Sequence, residues 1–422
     1  MTLRETILHG TIDRLADWLV DPLEALFPYD SVLAAYHNKG KHFVAYDLLA
    51  ALADVRKSIG RVAGSPARID MLRCFLNIAL DKFDNTYDYP SYVALRMLPL
   101  PTIDEPSEFS EIVLPRRDRL SVQLLADTLG FELLALEGRT KLFPLMRPSA
   151  ATVAKRCRLG MRVAAPALHR IGLPAVVHAD DSLAQAAQLH STMRNRMDAI
   201  EHDMLRFSIM PVYVLHDEYL FIRVLQLFET CFAALAVSIR SAIELLTENQ
   251  IKAAVERLSE AGAVLRESLP LFSLLATMEV EAFRTFREYT EGASAIQSRN
   301  YKLVESLCRK PDEDRLDSVA YYSVPEVRQR VLAGQFTIDE AYRHAMADAS
   351  DAGGAELTAA MTTFSGSLLR WRQTHYRLAV RMLGQRTGTG YTEGTPYLDS
   401  VRRIPVFRSV LGTHSTEQEK QA

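Results

Sequence analysis

The stretch LHDEYLFIRVLQLFETCFAALAVSIRSAIEL, residues 215–245, decides the fold. It contains neither proline nor glycine. Leu220, Val224, Leu227 and Cys231 recur on one helical face, and Phe221, Leu225 and Phe228 widen it. A stripe that broad, repeated at 3.6 residues per turn, describes a long helix buried over much of its circumference. His216 or Asp217 stands where such a helix begins. His216 with Glu218 is not a zinc-protease pattern, because no second histidine follows at helical spacing.

The same period recurs on both sides of this stretch. Ahead of it lie residues 3–27, 42–60, 67–82 and 118–139. Behind it, residues 248–269 carry a stripe at Ile251, Ala254, Leu258, Ala261 and Leu265, and residues 354–383 run to Gly384. No series of alternating strands appears, and no glycine-rich strand-turn-helix unit, which excludes a doubly wound nucleotide fold. The expected architecture is all-α: a bundle of long helices on the C-terminal side and a smaller helical N-terminal domain. Residues 83–117, with FDNTYDYPSY and LPLPTIDEP, and residues 172–183 read as irregular connections. The expected division is 1–190, 191–412 and a frayed polar tail, 413–422.

Composition limits the partners. In 422 residues, 49 Lys and Arg meet 52 Asp and Glu, a net charge of −3, which lacks the basic footprint of a nucleic-acid binder. No run of about 20 uninterrupted apolar residues is read as a membrane span, and the N-terminus mixes charge into its apolar residues, unlike a signal peptide. Cys74, Cys157, Cys231 and Cys308 are too scattered for a disulfide framework or a zinc site. A cytoplasmic protein is expected.

Three segments carry candidate chemistry. The first is the long helix already quoted. In the second, AFRTFREYTEGASAIQSRNYKLVES (282–306), Arg284 and Arg287 lie three residues apart on one helical face. An arginine in an aromatic setting can clamp a carboxylate by two parallel hydrogen bonds, and the alternative is a solvated surface charge. In the third, LLRWRQTHYRLAVRMLGQRTGTGYTEGTPYL (368–398), Trp371, His375, Leu378 and Met382 share one face. A histidine there is either a satisfied core residue or a metal or haem ligand. Gly388-Thr389-Gly390 is flexible enough to wrap a ligand, or it is a helix cap and turn. His178-Ala-Asp180-Asp181 reads as a turn before a helix, and Lys39-Gly40-Lys41-His42 as a short basic loop.

Together the three segments resemble the tryptophan 2,3-dioxygenase and indoleamine dioxygenase superfamily of histidine-ligated haem oxygenases. That family carries HDE-x-LFI-x-x-HQ-x-x-E, then FR-x-x-L-x-P-x-SGFQS, then WR-x-x-H followed by a GTGGS loop and YL. Here the first is His216-Asp217-Glu218, Leu220-Phe221-Ile222, Gln226 and Glu229. The second is Phe286-Arg287, Ser294 and Gln297-Ser298, and the third Trp371-Arg372, His375, Arg381, Gly384, Gly388-Thr389-Gly390, Gly394 and Tyr397-Leu398. The resemblance covers residues 200–412.

The resemblance implies haem b, with His375 as proximal iron ligand and Arg372 and Arg381 as candidates for its carboxylates. It implies an aromatic amino-acid substrate and O2, with Arg287 on the substrate carboxylate, Thr389 on its amino or carboxylate group and Phe221 in the ring pocket. It also implies homo-oligomerisation. The departures lie in the same site. The family's distal histidine is Leu225, which can neither donate nor accept a hydrogen bond; SGFQS has become SAIQS; and Tyr391 replaces a glycine beside the substrate. The resemblance implies oxygen insertion from O2 into the indole ring of L-tryptophan or a derivative, whereas Leu225 and Tyr391 favour the alternative, monooxygenase or peroxygenase chemistry on an aromatic amino acid. Further rivals are a non-catalytic haem-binding relative, and a helical interaction module with Phe83–Tyr92 as its partner surface.

Overall fold

The structure, a computed structural model, describes residues 3–105, 112–173, 181–348, 351–384 and 394–410. Among the described residues it is all-α, with no strand or sheet; Leu23 with Ala63 and Leu145 with Leu215 form isolated bridge pairs. The N-terminal part contains α1 (Leu3–Val20), α2 (Tyr29–Lys39), α3 (Tyr46–Lys57) and α4 (Pro66–Ala79), followed by the long α5 (Val113–Leu136), α6 (Ala150–Arg170), α7 (Ser182–Arg196) and α8 (Ala199–Phe207). Then come α9 (His216–Thr247), α10 (Ile251–Ser268), α11 (Val280–Arg287), α12 (Arg299–Cys308), α13 (Pro325–Leu332), α14 (Ile338–Asp348), α15 (Asp351–Leu383) and α16 (Thr395–Arg402).

Local chemistry starts several of these helices. The Ser65 and Ser149 hydroxyls accept from the Arg68 and Thr152 amides, and Asp198 forms a reciprocal capping box with Glu201. Asp181 caps α7 through the Leu183 amide, as the turn reading of that stretch expects; His178 and Asp180 lie outside the described residues.

Helix α9 is the axis of the molecule. At 32 residues it is about 48 Å long, and α5, α10, α12 and α14 pack along it. Most of its buried apolar residues join the large core that runs from Leu15 to Val410, and Tyr219 and Ile222 join a second cluster with Tyr89 and Tyr92. By length and composition α9 could cross a membrane, which corrects the reading that no stretch would; 89% of its most apolar window is buried inside the protein.

Charged groups buried on α9 are paired. The Arg156 guanidinium bridges Glu132 (2.8 Å) and Asp217 (2.6 Å), all three essentially without exposure, and Glu132 also meets His216 at 3.1 Å. Glu218 accepts from the Val212 and Tyr213 amides and from the Tyr92 hydroxyl. Arg223 donates to Asp127, Ser208 and Gln226. The His-Asp-Glu triplet that opens the first motif therefore anchors α9 to the segments around it. Removing one partner of such a buried pair costs about 3–5 kcal/mol, because the other charge is left uncompensated.

Candidate active site

A cavity of about 260 Å³ opens between α9, α11, α12, α15 and α16. Three turns of α9 reach it, because Phe221, Leu225, Phe228 and Phe232 follow one another at three- or four-residue steps, with Glu229 beside Phe228. Phe283, Phe286 and Arg287 come from α11, and Trp371, Arg372, His375, Leu378, Ala379 and Met382 from α15. The wall is mostly apolar and rich in aromatic rings. Phe228 and Phe232 meet Trp371 edge-on at 5.5 and 5.1 Å, and Phe221 lies 5.3 Å from Phe286.

His375 sits in this wall beside Trp371 (5.3 Å) and Phe272 (6.0 Å). Burial pushes its imidazole down to about 4, so it is neutral at neutral pH. It has no hydrogen-bond partner among the described residues. A neutral imidazole open to a cavity has the protonation state a metal ligand needs.

Beyond Trp371 and Tyr301 lies a buried ionic cluster. Arg315 holds Glu305 by two bonds, of 2.8 and 3.1 Å, and Lys302 stands 3.8 Å from the same carboxylate. Arg372 donates to the Tyr301 hydroxyl (2.9 Å) and the Ile404 carbonyl (2.7 Å). Burial pushes the Lys302 ammonium down to about 7, against the opposing pull of Glu305. Burial alone would raise the Glu305 carboxyl, but Lys302 and Arg315 hold it well below the usual carboxylate range. Three cations thus face one carboxylate. Lys302 and Arg372 line the cavity, which makes this end of it receptive to anionic groups.

Arg287, at the C-terminus of α11, is half-buried in the wall, with the Thr290 hydroxyl bonded to its carbonyl at 2.8 Å. Phe221 and Leu225 are here too. Arg284 turns away and donates to the Met382 carbonyl. Arg381, open between a haem-carboxylate partner and a helix-surface charge, stands on the solvent side of α15, outside the cavity wall. It lies six residues from His375, roughly 240° around the helix, whereas Arg372 is three residues away. Thr389 and Tyr391 lie outside the described residues.

Sequence reasoning missed several wall residues. Tyr89 and Tyr92, within the stretch considered as a partner surface, are 3% and 2% exposed and line the cavity. That stretch is a packed loop, not a docking face. The Tyr89 hydroxyl bonds Glu229 at 3.1 Å, and Asn300 holds the other Glu229 oxygen at 3.0 Å. Burial raises the Glu229 carboxyl. Glu229 was legible as a wall residue, four positions after Leu225 on the same face; Tyr89 was not, because only the tertiary fold brings it there.

Residues 196–336 match the family model described as tryptophan 2,3-dioxygenase. That part of the chain is thus similar to the tryptophan 2,3-dioxygenases, at modest identity. The tryptophan 2,3-dioxygenase of Anaeromyxobacter sp. (strain K) is 25% identical over 223 residues, 46% of this chain and 84% of the relative. That of Bradyrhizobium sp. (strain ORS 278) is 24% identical over 234 residues, 47% and 83%. That of Bordetella parapertussis is 22% identical over 248 residues, 50% and 87%. The relatives thus match about half of this chain, and the superfamily is one of oxidoreductases.

Proposed function

We propose that the protein is a haem-dependent oxygenase that inserts oxygen from O2 into the ring of L-tryptophan or a close derivative. The observation that carries the reading is His375: neutral, without a hydrogen-bond partner among the described residues, and in the wall of the one cavity that Arg287, Phe221 and Leu225 also line.

The residues fit haem. His375 offers a neutral nitrogen to iron. Lys302 and Arg372, at the cation-rich end, suit its two carboxylates. The aromatic wall suits a flat apolar ring. Haem, when bound, supplies the activation of O2 that no side chain here can provide.

The remaining tasks fall to the chain itself. Arg287 takes the substrate carboxylate, and a bidentate pair fixes its direction as well as its distance. Phe221, Phe283 and Phe286 hold the aromatic ring by shape, restricting it to a reactive pose. Tyr89 and Tyr92 close that side of the cavity, their hydroxyls occupied by Glu229 and Glu218. The apolar surroundings keep bulk water from the reacting ring.

Leu225 favours a second reading, in which one oxygen atom is inserted. Its side chain packs against the cluster that contains Tyr89 and Tyr92 and offers nothing to a ring N–H, so the ring is placed by shape alone. Mass analysis of the product from haem-loaded protein, L-tryptophan and 18O2 tests both readings. Two labelled atoms support dioxygenation and one supports monooxygenation. No oxidised product from tryptophan or its ring-substituted derivatives would remove the oxygenase assignment.

A further inference from the structure

The cavity wall between Arg287 and Ser294 is a loop gripped from outside by the N-terminal part of the chain. Thr290, Ala293 and Ser294 line the cavity, and Glu291 between them points outward, 51% exposed at its side chain. The Glu291 carboxylate meets Lys82 at 3.1 Å and His42 at 3.3 Å. Lys82 also donates to the Tyr289 carbonyl at 3.0 Å. Beside them the Tyr289 ring stacks on Tyr213 (5.1 Å) and touches His42 and Phe43, each at 5.1 Å.

This grip has its own foundation. The turn Lys41–Phe43 is docked on the segment that leads into α9, with the Lys41 amide bonded to the Pro211 carbonyl at 2.7 Å. Gly40 permits the approach: its φ is +84°, and a Cβ there would lie 2.4 Å from the Val212 carbonyl oxygen. Lys82 is packed over the Tyr87 ring at 4.2 Å, next to the buried Lys41–Asp81 pair. On the cavity side, Gln297 accepts from both the Ser294 and the Tyr89 amides, at 3.1 and 3.0 Å, so the loop is tied to the tyrosine segment as well. Glu291 itself has φ +47°, a left-handed conformation that favours glycine. The carboxylate, not backbone ease, is what this position contributes.

We infer that Glu291 is a positioning residue, through which Lys82 and His42 of the N-terminal part set the cavity wall formed by Thr290, Ala293 and Ser294. The inference gives residues outside the matched family region a role in the site, and it rests on the reading of this cavity as the substrate site. Arg287 begins the loop, so its reach into the cavity depends on the same latch. The charged and titratable groups facing Glu291 are Lys82, His42 and, beneath Lys82, the buried Tyr87, and all come from the N-terminal part.

The test is a double-mutant cycle in the full-length, haem-supplemented protein, with Glu291→Gln, Lys82→Met and the two combined. Amide exchange at Ala293 and Ser294, whose hydrogen bonds run to the Thr290 carbonyl and Gln297, should quicken about tenfold in each single variant. The double variant should be no worse than either single, the signature of two groups acting through one contact. L-Tryptophan Kd should rise about tenfold while haem content and Soret position stay unchanged. Unchanged exchange in the single variants, additive effects in the double, or faster exchange with an unaltered Kd would each overturn the inference. If wild type binds no indole amino acid, the substrate reading falls, and the exchange cycle alone still decides whether the latch exists.

Discussion

The imidazole of His375 lies nearly parallel to the ring of Phe272, 6.0 Å between centroids and 20° between planes. With Trp371 on another side, the histidine is enclosed by apolar rings that replace the water its charged form needs. Its folded pKa, about 4, is therefore below the unfolded value of 6.5. Two consequences follow. The stability this neutral histidine contributes is present above pH 6.5 and is lost as pH falls towards 4, since the unfolded chain takes up the proton first. Iron ligation stays available over the same range. Spectra of the haem-loaded protein should be constant from pH 8 to about 5. A ligand transition centred near 6.5 would show that His375 is an ordinary exposed imidazole.

Arg287 is expected to act on the substrate and not on the haem, since it belongs to α11 and not to the cation-rich end. Arg287→Leu removes one charge-assisted pair, about 1.5–3 kcal/mol, so the L-tryptophan Kd should rise roughly 10- to 150-fold. Haem content should match wild type. Equal affinities would take Arg287 out of the site.

Leu225 makes a prediction about selectivity. With no acceptor supplied by this residue, tryptophan and 1-methyltryptophan should bind within a few-fold of each other. Leu225→His supplies a partner for the ring N–H and should favour tryptophan by about 1 kcal/mol, close to fivefold. Competition binding with the two ligands measures this, and strong wild-type discrimination against the methylated ring would contradict it.

Arg156 tests the structural role of the opening motif. Arg156→Met leaves Glu132 and Asp217 buried without their cation and should cost about 3–5 kcal/mol in urea unfolding. A loss below 1 kcal/mol would show that these carboxylates have other compensation.

How much was legible in the sequence follows from where the signal lies. Helix α9 was readable because its stripe is local and uninterrupted, and His375 with Leu378 and Met382 was readable as one face for the same reason. Arg381 stayed open between two readings, because a motif match says nothing of angle around the helix; six residues from His375, it faces solvent. Tyr89, Lys302 and Glu291 were not legible. Tyr89 and Glu229 are 140 positions apart, and the value of Lys302 depends on Arg315 and Arg372 arriving beside it. Ion pairs and cavities made by distant segments leave no periodic trace.

The central claim is that His375 ligates haem iron in this cavity. The most direct measurement is the absorption spectrum of haem-reconstituted protein, ferrous and with CO, for wild type and for His375→Ala with and without added imidazole. The account predicts a histidine-type ferrous spectrum that shifts with L-tryptophan, its loss in His375→Ala, and its return with imidazole. A His375→Ala protein with the wild-type spectrum and full haem content would contradict it.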